Sequence, residues 1–341
     1  RVRKRLEKSA AGHLGPRAIR QELVQCRLMN PPPGLTTIKR WLKDAGLIDS
    51  PVETEKETYY PAPNLGADWV IFACDWTERY FTGGEKVFVF HTIDHRTRAL
   101  AQTLRSDKST ESACAHLLDA CSRLGLSDFL QLDNDTAFTG LGRSPRVFGR
   151  FVRLCLYLGI ELLFIPPGEA RRNHVVERVH GTWAGSFWNK NHFTSLHDLK
   201  RKSPKFYDWY ENYAPDALGG LTVKQASTGL HCKKLWRQQI GQIPEELPLT
   251  AGRLHFIRKV DLQGEINILK EQWKVSKTLI GQYAWATLDT RKEELFIYQR
   301  RSARAQPRLI KQYVYRIDEK VHKLKSEFQR RARKVEILKI I

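Results

Sequence analysis

The sequence predicts three folded modules in series. These are an all-α helix-turn-helix over residues 1–50, an α/β core over 67–233 with a five-stranded mixed sheet and flanking helices, and a small all-β barrel over 251–317. A basic helical tail is expected over 318–341. Three observations lead there. The residue pattern passes from helical spacing, to strands interleaved with helices, to short β-rich runs. Two polar stretches containing proline, 51–66 and 234–250, read as linkers between the modules. The charge divides at the same places. Residues 1–50 carry eleven basic and four acidic residues, 51–250 carry 24 and 23, and 251–341 carry 22 and ten. Nearly all of the net +20 therefore sits on the flanks of a neutral middle.

The first module reads as two helices about a turn. Pro16 opens a helix over Gly15–Leu28, with Ile19, Leu23 and Val24 on one face. Asn30–Gly34 breaks it, and Thr36 or Thr37 caps a second helix that runs to Ala45, with Ile38, Trp41 and Leu42 inward. Thr37, Lys39, Arg40 and Lys43 then lie where a recognition helix would meet a major groove. A helical hairpin with a solvated basic face would show the same pattern.

In the middle, Trp69–Cys74 is apolar throughout, as a central strand buried on both faces should be. Strands follow at Lys86–Thr92 and Ala99–Leu104, and a helix at Thr110–Leu124. A strand at Asp128–Leu132, a helix at Val147–Leu158, a strand at Glu161–Ile165 and a helix at His174–Trp188 complete the core. The order β-β-β-α-β-α-β-α is that of a ribonuclease-H-like fold. Beyond 250, short strands are expected at Leu254–Val260, Glu265–Leu269, Tyr283–Leu288, Glu294–Tyr298 and Val314–Ile317.

Composition narrows the function. No apolar run approaches the roughly 18 residues that span a bilayer, so no membrane role is expected. The six cysteines show neither a C-x-x-C pair nor zinc-ligand spacing and read as free thiols in a reducing cytoplasm. Basic ends around a neutral core suit a polyanion, nucleic acid first, because neutralising phosphates releases condensed counterions.

Three carboxylates carry the chemistry. Asp75 ends the run WVIFAC, Asp133 ends FLQL, and Glu177 lies in the helix that begins HVVERVHGTW. In a ribonuclease-H-like sheet the first and fourth strands are neighbours, and the helix after the fifth can bring a third acid over them. Such anions repel and raise one another's pKa unless cations lie between them. Hard oxygen ligands suit Mg²⁺. A pair of such ions can assist an in-line phosphoryl displacement.

The runs ACDWTERYF, TIDHRTRAL, QLDNDTAFTG, PPGEARRNHVVERVHGTW and LGGLTVKQAS resemble the integrase-type (D-D-E) catalytic core of bacterial insertion-sequence transposases and retroviral integrases. The resemblance covers roughly residues 65–230, and more weakly the helix-turn-helix and an SH3-like C-terminal barrel. It implies that Asp75, Asp133 and Glu177 bind two Mg²⁺ ions, with Mn²⁺ as a substitute, and are the catalytic residues. The retroviral His/His/Cys/Cys zinc module is absent, which favours the bacterial branch.

There are departures. The interval between Asp133 and Glu177 is longer than usual, through a segment at Gly140–Arg146, and Asp135 and His174 stand at unusual positions. Ala184 occupies a place where a basic residue often faces DNA, so phosphate contact is assigned to Arg171, Arg172 and Arg178, with His180 one turn after Glu177. In the C-terminal module Arg300, Arg301, Arg304 and Arg308 form a basic loop.

The function implied is a DNA transposase or integrase acting on element ends and target duplex, in the bacterial cytoplasm, as at least a homodimer on DNA. It would cleave the ends and transfer the freed 3′-hydroxyl. The rival readings are an inactive DNA-binding regulator and a ribonuclease-H-type nuclease that cuts without joining.

Overall fold

The computed structural model describes residues 2–8, 12–48, 58–64, 69–140, 146–228 and 232–328. The chain forms two compact units, Arg1–Glu57 with Arg178–Tyr213, and Thr58–Glu177 with Ala214–Ile341.

The first unit begins with α1 (Val2–Glu7), α2 (Pro16–Gln25) and α3 (Leu35–Asp44). Ile19, Leu23, Ile38 and Leu42 bury one stripe of α2 against one of α3, and Val2, Leu6 and Ile48 pack against them. Helix α3 starts one residue before Thr36 with no side-chain cap, and Gly46 lies just past its end at φ +65°. Val24 and Trp41, both expected inward, are 48% and 47% exposed, because the buried stripe is narrower than the apolar pattern suggests.

In the second unit, β1 (Ile71–Tyr80), β2 (Lys86–Asp94) and β3 (Leu100–Arg105) form an antiparallel meander. Helix α4 (Thr110–Leu124) opens where the Ser109 side chain accepts from the Ser112 N–H, and ends at Gly125 with φ +92°. Its apolar face, including Cys114, Leu117, Cys121 and Leu124, enters the main core. Strand β4 (Phe129–Leu132) pairs in parallel with β1 and is buried along its whole length. The short α5 (Thr136–Thr139) and α6 (Arg150–Tyr157) lead to β5 (Glu161–Phe164), parallel to β4. Helix α7 (His174–Ser186) follows, and the boundary between units falls within it after Glu177.

Helix α8 (Leu196–Glu211) belongs to the first unit. There Trp183, Phe187, Phe193 and Phe206 are buried in an aromatic cluster with Trp209, Tyr210 and Tyr213. Trp183 is thus a packing residue. The Gly12 N–H donates to the Ser186 carbonyl at 3.2 Å, and Lys190 Nζ to the Leu6 carbonyl at 2.7 Å. The helical module of α1–α3 therefore shares its unit with 178–213 and does not stand alone over 1–50.

The largest correction concerns residues 251–317. After α9 (Val223–Ser227) and α10 (Arg237–Gly241) come β6 (Arg253–Lys259), β7 (Glu265–Ile268), β8 (Glu271–Lys274), β9 (Tyr283–Asp289), β10 (Glu294–Gln299) and β11 (Arg308–Val314). Strand β6 pairs in parallel with β5, so the core sheet has nine strands, in the order β11-β10-β9-β6-β5-β4-β1-β2-β3. A five-stranded core sheet beside a separate barrel is not what forms; among the described residues only β7 and β8 make a sheet of their own. The reason is the free edge of β5. A buried parallel strand with an unpaired side would leave its backbone groups unsatisfied, and β6 satisfies them.

Smaller corrections follow from the same packing. Strand β8 was not expected, and the last strand lies at Arg308–Val314 instead of 314–317. The stretch 234–250 carries α10 and buries Leu235, Leu247 and Leu249, which a free linker would not. Residues 318–328 are not α-helical; their regular element is a 3₁₀ turn at Ser326–Phe328, with Phe328 buried. The rest of the expected tail, 329–341, lies outside the described residues, as do most of the first linker and 141–145 of the inserted segment. None of the six cysteines is in a disulfide. No helix among the described residues is long and apolar enough to cross a membrane.

Candidate active site

Asp75 lies inside β1 and not at its end, since the strand continues to Tyr80. The β1–β4 register pairs Ile71 with Phe129, Phe72 with Leu130 and Ala73 with Gln131. Continued by two residues, it sets Asp75 beside Asp133, which follows the last residue of β4. Glu177, in the first turn of α7, brings a carboxylate oxygen within 4.8 Å of one on Asp75. Asp75 is 8% exposed, and Asp133 and Glu177 are half-buried.

The electrostatics follow from this crowding. Burial pushes the Asp75 carboxyl up to about 8, the charge on Asp133 adds to it, the Trp76 N–H opposes it, and Glu177 and Asp135 raise it further. That N–H donates to Asp75 Oδ1 at 2.7 Å. Asp133 is raised by burial first. Its bond from the Asp135 N–H, 3.0 Å long, lowers it, and Lys108 lowers it more weakly. Glu177 is raised by burial and then by Asp133. Each acid is held in a place that disfavours its charge, and the charge of Asp133 bears on both of the others. Oxygen donors under mutual repulsion fit a hard divalent cation, which would reverse the sign of the local field.

The neighbours that set this geometry had no signal in the sequence. Asn173, just before α7, is wholly buried. Its Nδ2 donates to the Cys74 carbonyl at 3.3 Å, and its Oδ1 accepts from Gln131 Nε2 at 3.0 Å. One amide therefore joins the start of α7 to β1 and β4, beside Asp75 and Asp133. Asp135 is the N-cap of α5, its Oδ1 accepting from the Ala137 N–H at 2.8 Å. It also pairs with Lys108 at 3.3 Å, and the Lys108 ammonium sits 4.1 Å from the centre of the Trp76 ring. Asp135 is a loop-forming residue here.

The expected DNA contacts are placed unevenly. On α3, Lys39, Arg40 and Lys43 are exposed and Thr37 is half-buried. Arg171 and Arg178 are exposed, whereas His180, on α7, is 7% exposed. Arg172 is engaged within the chain: it donates to Glu169 at 3.0 Å and to the Tyr283 hydroxyl at 3.1 Å, and its guanidinium lies 4.3 Å from the Tyr60 ring centre. Arg300 donates to the Ala303 and Ala305 carbonyls of its own loop. Arg301 and Arg304 are exposed in that loop, and exposed Arg308 opens β11.

Residues 158–222 match the integrase core domain family. The catalytic core of HTLV-2 integrase in complex with magnesium, in its trimeric form, is 18% identical; the match covers 49% of this chain and 98% of that one, with a TM-score of 0.30. A chain of the simian T-cell lymphotropic virus intasome in complex with the PP2A regulatory subunit B56 gamma is 17% identical over 86% of this chain and 93% of that one, with a TM-score of 0.32. The catalytic core of BIV integrase is 17% identical over 49% and 87%, with a TM-score of 0.26. No curated protein matched the sequence. The family match takes in β5, Glu177 and the whole of α7 and α8.

Proposed function

We propose that this chain is a D-D-E transposase or integrase that cleaves DNA ends and joins their 3′-hydroxyls to target DNA. The observation that supports the reading is the closeness of the Asp75 and Glu177 carboxylates, within 4.8 Å, with Asp133 near enough on the neighbouring strand for its charge to raise both. The three carboxylates would hold two Mg²⁺ or Mn²⁺ ions, which when bound supply Lewis-acid stabilisation of the attacking and leaving oxygens.

The chain's own residues do the rest. Asp75 and Asp133 form a rigid base because each is held by a backbone N–H of its own loop or strand. Asn173 keeps the start of α7 against that base. Phosphate approach is assigned to the exposed Arg171 and Arg178, and base reading to the basic face of α3. No covalent enzyme intermediate is needed. Two ends must be processed together, which requires at least a dimer on DNA. Assignment to the bacterial insertion-sequence branch rests on the sequence motifs.

The test is a joining assay. Duplexes taken from the DNA flanking the coding region are incubated with the protein, a supercoiled plasmid and Mg²⁺ or Mn²⁺. Covalent end-to-plasmid products are expected. Cutting without joining would support the nuclease reading, and metal-independent binding with neither would support the regulator.

A second prediction concerns α3. Replacing Lys39, Arg40 and Lys43 together by Ala should flatten the plot of log K against log salt by about 0.9 for each phosphate that the helix no longer neutralises. Fluorescence anisotropy over several salt concentrations measures this. An unchanged slope would remove α3 from the DNA interface.

A further inference from the structure

Arg258 is 6% exposed on β6, a strand that the sequence assigned to a separate DNA-gripping barrel. Its Nη2 donates to Asn134 Oδ1 at 2.7 Å. Its Nη1 donates to the carbonyls of Ile165 and Ile257, each at 2.9 Å, and of Phe164 at 3.3 Å. Its Nε donates to the Asn267 carbonyl at 3.0 Å. All of these acceptors are neutral. A buried charge without a partner acid costs several kcal/mol unless dipoles surround it, so the group stabilises little by pairing. What it does is fix a position.

Asn134 is that position. Its Nδ2 donates to the Ile165 carbonyl at 2.7 Å while its Oδ1 accepts from Arg258. The side chain is therefore held at both ends, against the end of β5 and against β6. The residue before it is Asp133.

We propose that Arg258 is a positioning residue for the second carboxylate: by gripping Asn134 it fixes where Asp133 stands, and the C-terminal strands thereby complete the metal-binding end of the core. This rests on the functional reading above. Lysine is a poor substitute, because one ammonium cannot span acceptors lying in several directions as a planar guanidinium does.

The experiment uses the full chain and Mn²⁺ alone, titrated by calorimetry into the unaltered protein and into Arg258→Gln, Arg258→Lys, Asn134→Ala and the Arg258→Gln/Asn134→Ala pair, with melting followed separately. Residues that orient a metal's direct ligands are worth about 10- to 100-fold in metal affinity. Arg258→Gln and Asn134→Ala should each weaken Mn²⁺ binding by roughly 10-fold or more, and the double variant should be no weaker than the worse single one, because both break one link. Arg258→Lys should recover little. A folded Arg258→Gln with a lower melting temperature and unchanged Mn²⁺ affinity would mean a purely structural arginine. If Arg258→Gln does not fold, Asn134→Ala decides: unchanged affinity there overturns the proposal. Failure of the unaltered chain to take up Mn²⁺ would overturn the functional reading and this inference together, whereas uptake indifferent to all the variants overturns this inference alone.

Discussion

Asp75→Asn is expected to abolish cleavage and joining, lowering activity on the order of 10³-fold or more, and to make the metal-free protein more stable at neutral pH. The two effects share a cause. In the folded chain Asp75 titrates near 8, against 3.8 ordinarily, mainly through burial and then through the charge on Asp133. A carboxyl raised in this way contributes stability that is fully present below about pH 4 and is lost as pH rises through about 8. Asparagine keeps the shape and the acceptor for the Trp76 N–H but carries no charge to bury.

The variant should therefore match the parent near pH 4 and exceed it increasingly toward pH 8. The gap should reach a few kcal/mol, since a tenfold change in proton affinity is worth about 1.4 kcal/mol. Mg²⁺ should stabilise the parent and leave the variant almost unmoved. Chemical denaturation at several pH values, with and without Mg²⁺, reads all of this, and DNA binding by the variant serves as the control for folding. A stability gap that does not change with pH would mean that Asp75 is not a buried, repelled carboxylate. Undiminished joining by the variant would end the functional reading.

Removal of residues 251–341 is expected to unfold the core, and not merely to weaken its hold on DNA. The charge census alone suggests that this region, with twelve net positive charges, is a detachable grip. The structure makes its strands part of the core sheet. Leu254, Phe256, Ala286, Leu288, Leu295, Ile297, Tyr315, Ile317 and Phe328 lie in the same core cluster as Phe72, Leu130, Leu162 and Phe164. Burying a large apolar side chain contributes about 1.5–3 kcal/mol, and a whole domain is stable by only about 5–15 kcal/mol. Losing these residues, and leaving β5 with an open edge, exceeds that margin. Residues 1–250 expressed alone should show no cooperative melt near that of the full chain and should aggregate. A soluble fragment melting near the temperature of the full chain would show that β6 and its neighbours are dispensable. The salt dependence of DNA binding is accordingly better probed by point substitutions at the exposed Arg301, Arg304 and Arg308, which leave the sheet whole.

Much of the core was legible because its signals are local. Helix α4 runs over Thr110–Leu124 as read, since Ser109, the 3–4 spacing of apolar residues and Gly125 all lie within one short window. The runs FLQL and ELLF are short and mostly apolar, as the buried strands they form should be. The three acids were identified by the order of elements and by flanking motifs, which are properties of the chain itself.

What remained hidden depends on contacts between distant residues. Nothing near Arg258 announces that it reaches Asn134, because a basic residue in a β-rich segment reads as a surface charge. Asn173 is likewise one polar residue before a helix until β1 and β4 are set beside it. The run RLHFIRK specifies a strand but not which edge it joins, since backbone pairing is the same for every sequence and the choice is made by what else must be buried. The sequence by itself determined the main strands and helices from β1 to α7, the basic flanks and the candidate carboxylates. Only the tertiary structure decided that β6 closes the open edge of β5, that the core sheet has nine strands among the described residues, and that Asn134 beside Asp133 is bonded from β6, because non-local burial, and not local propensity, selects the partner of a strand.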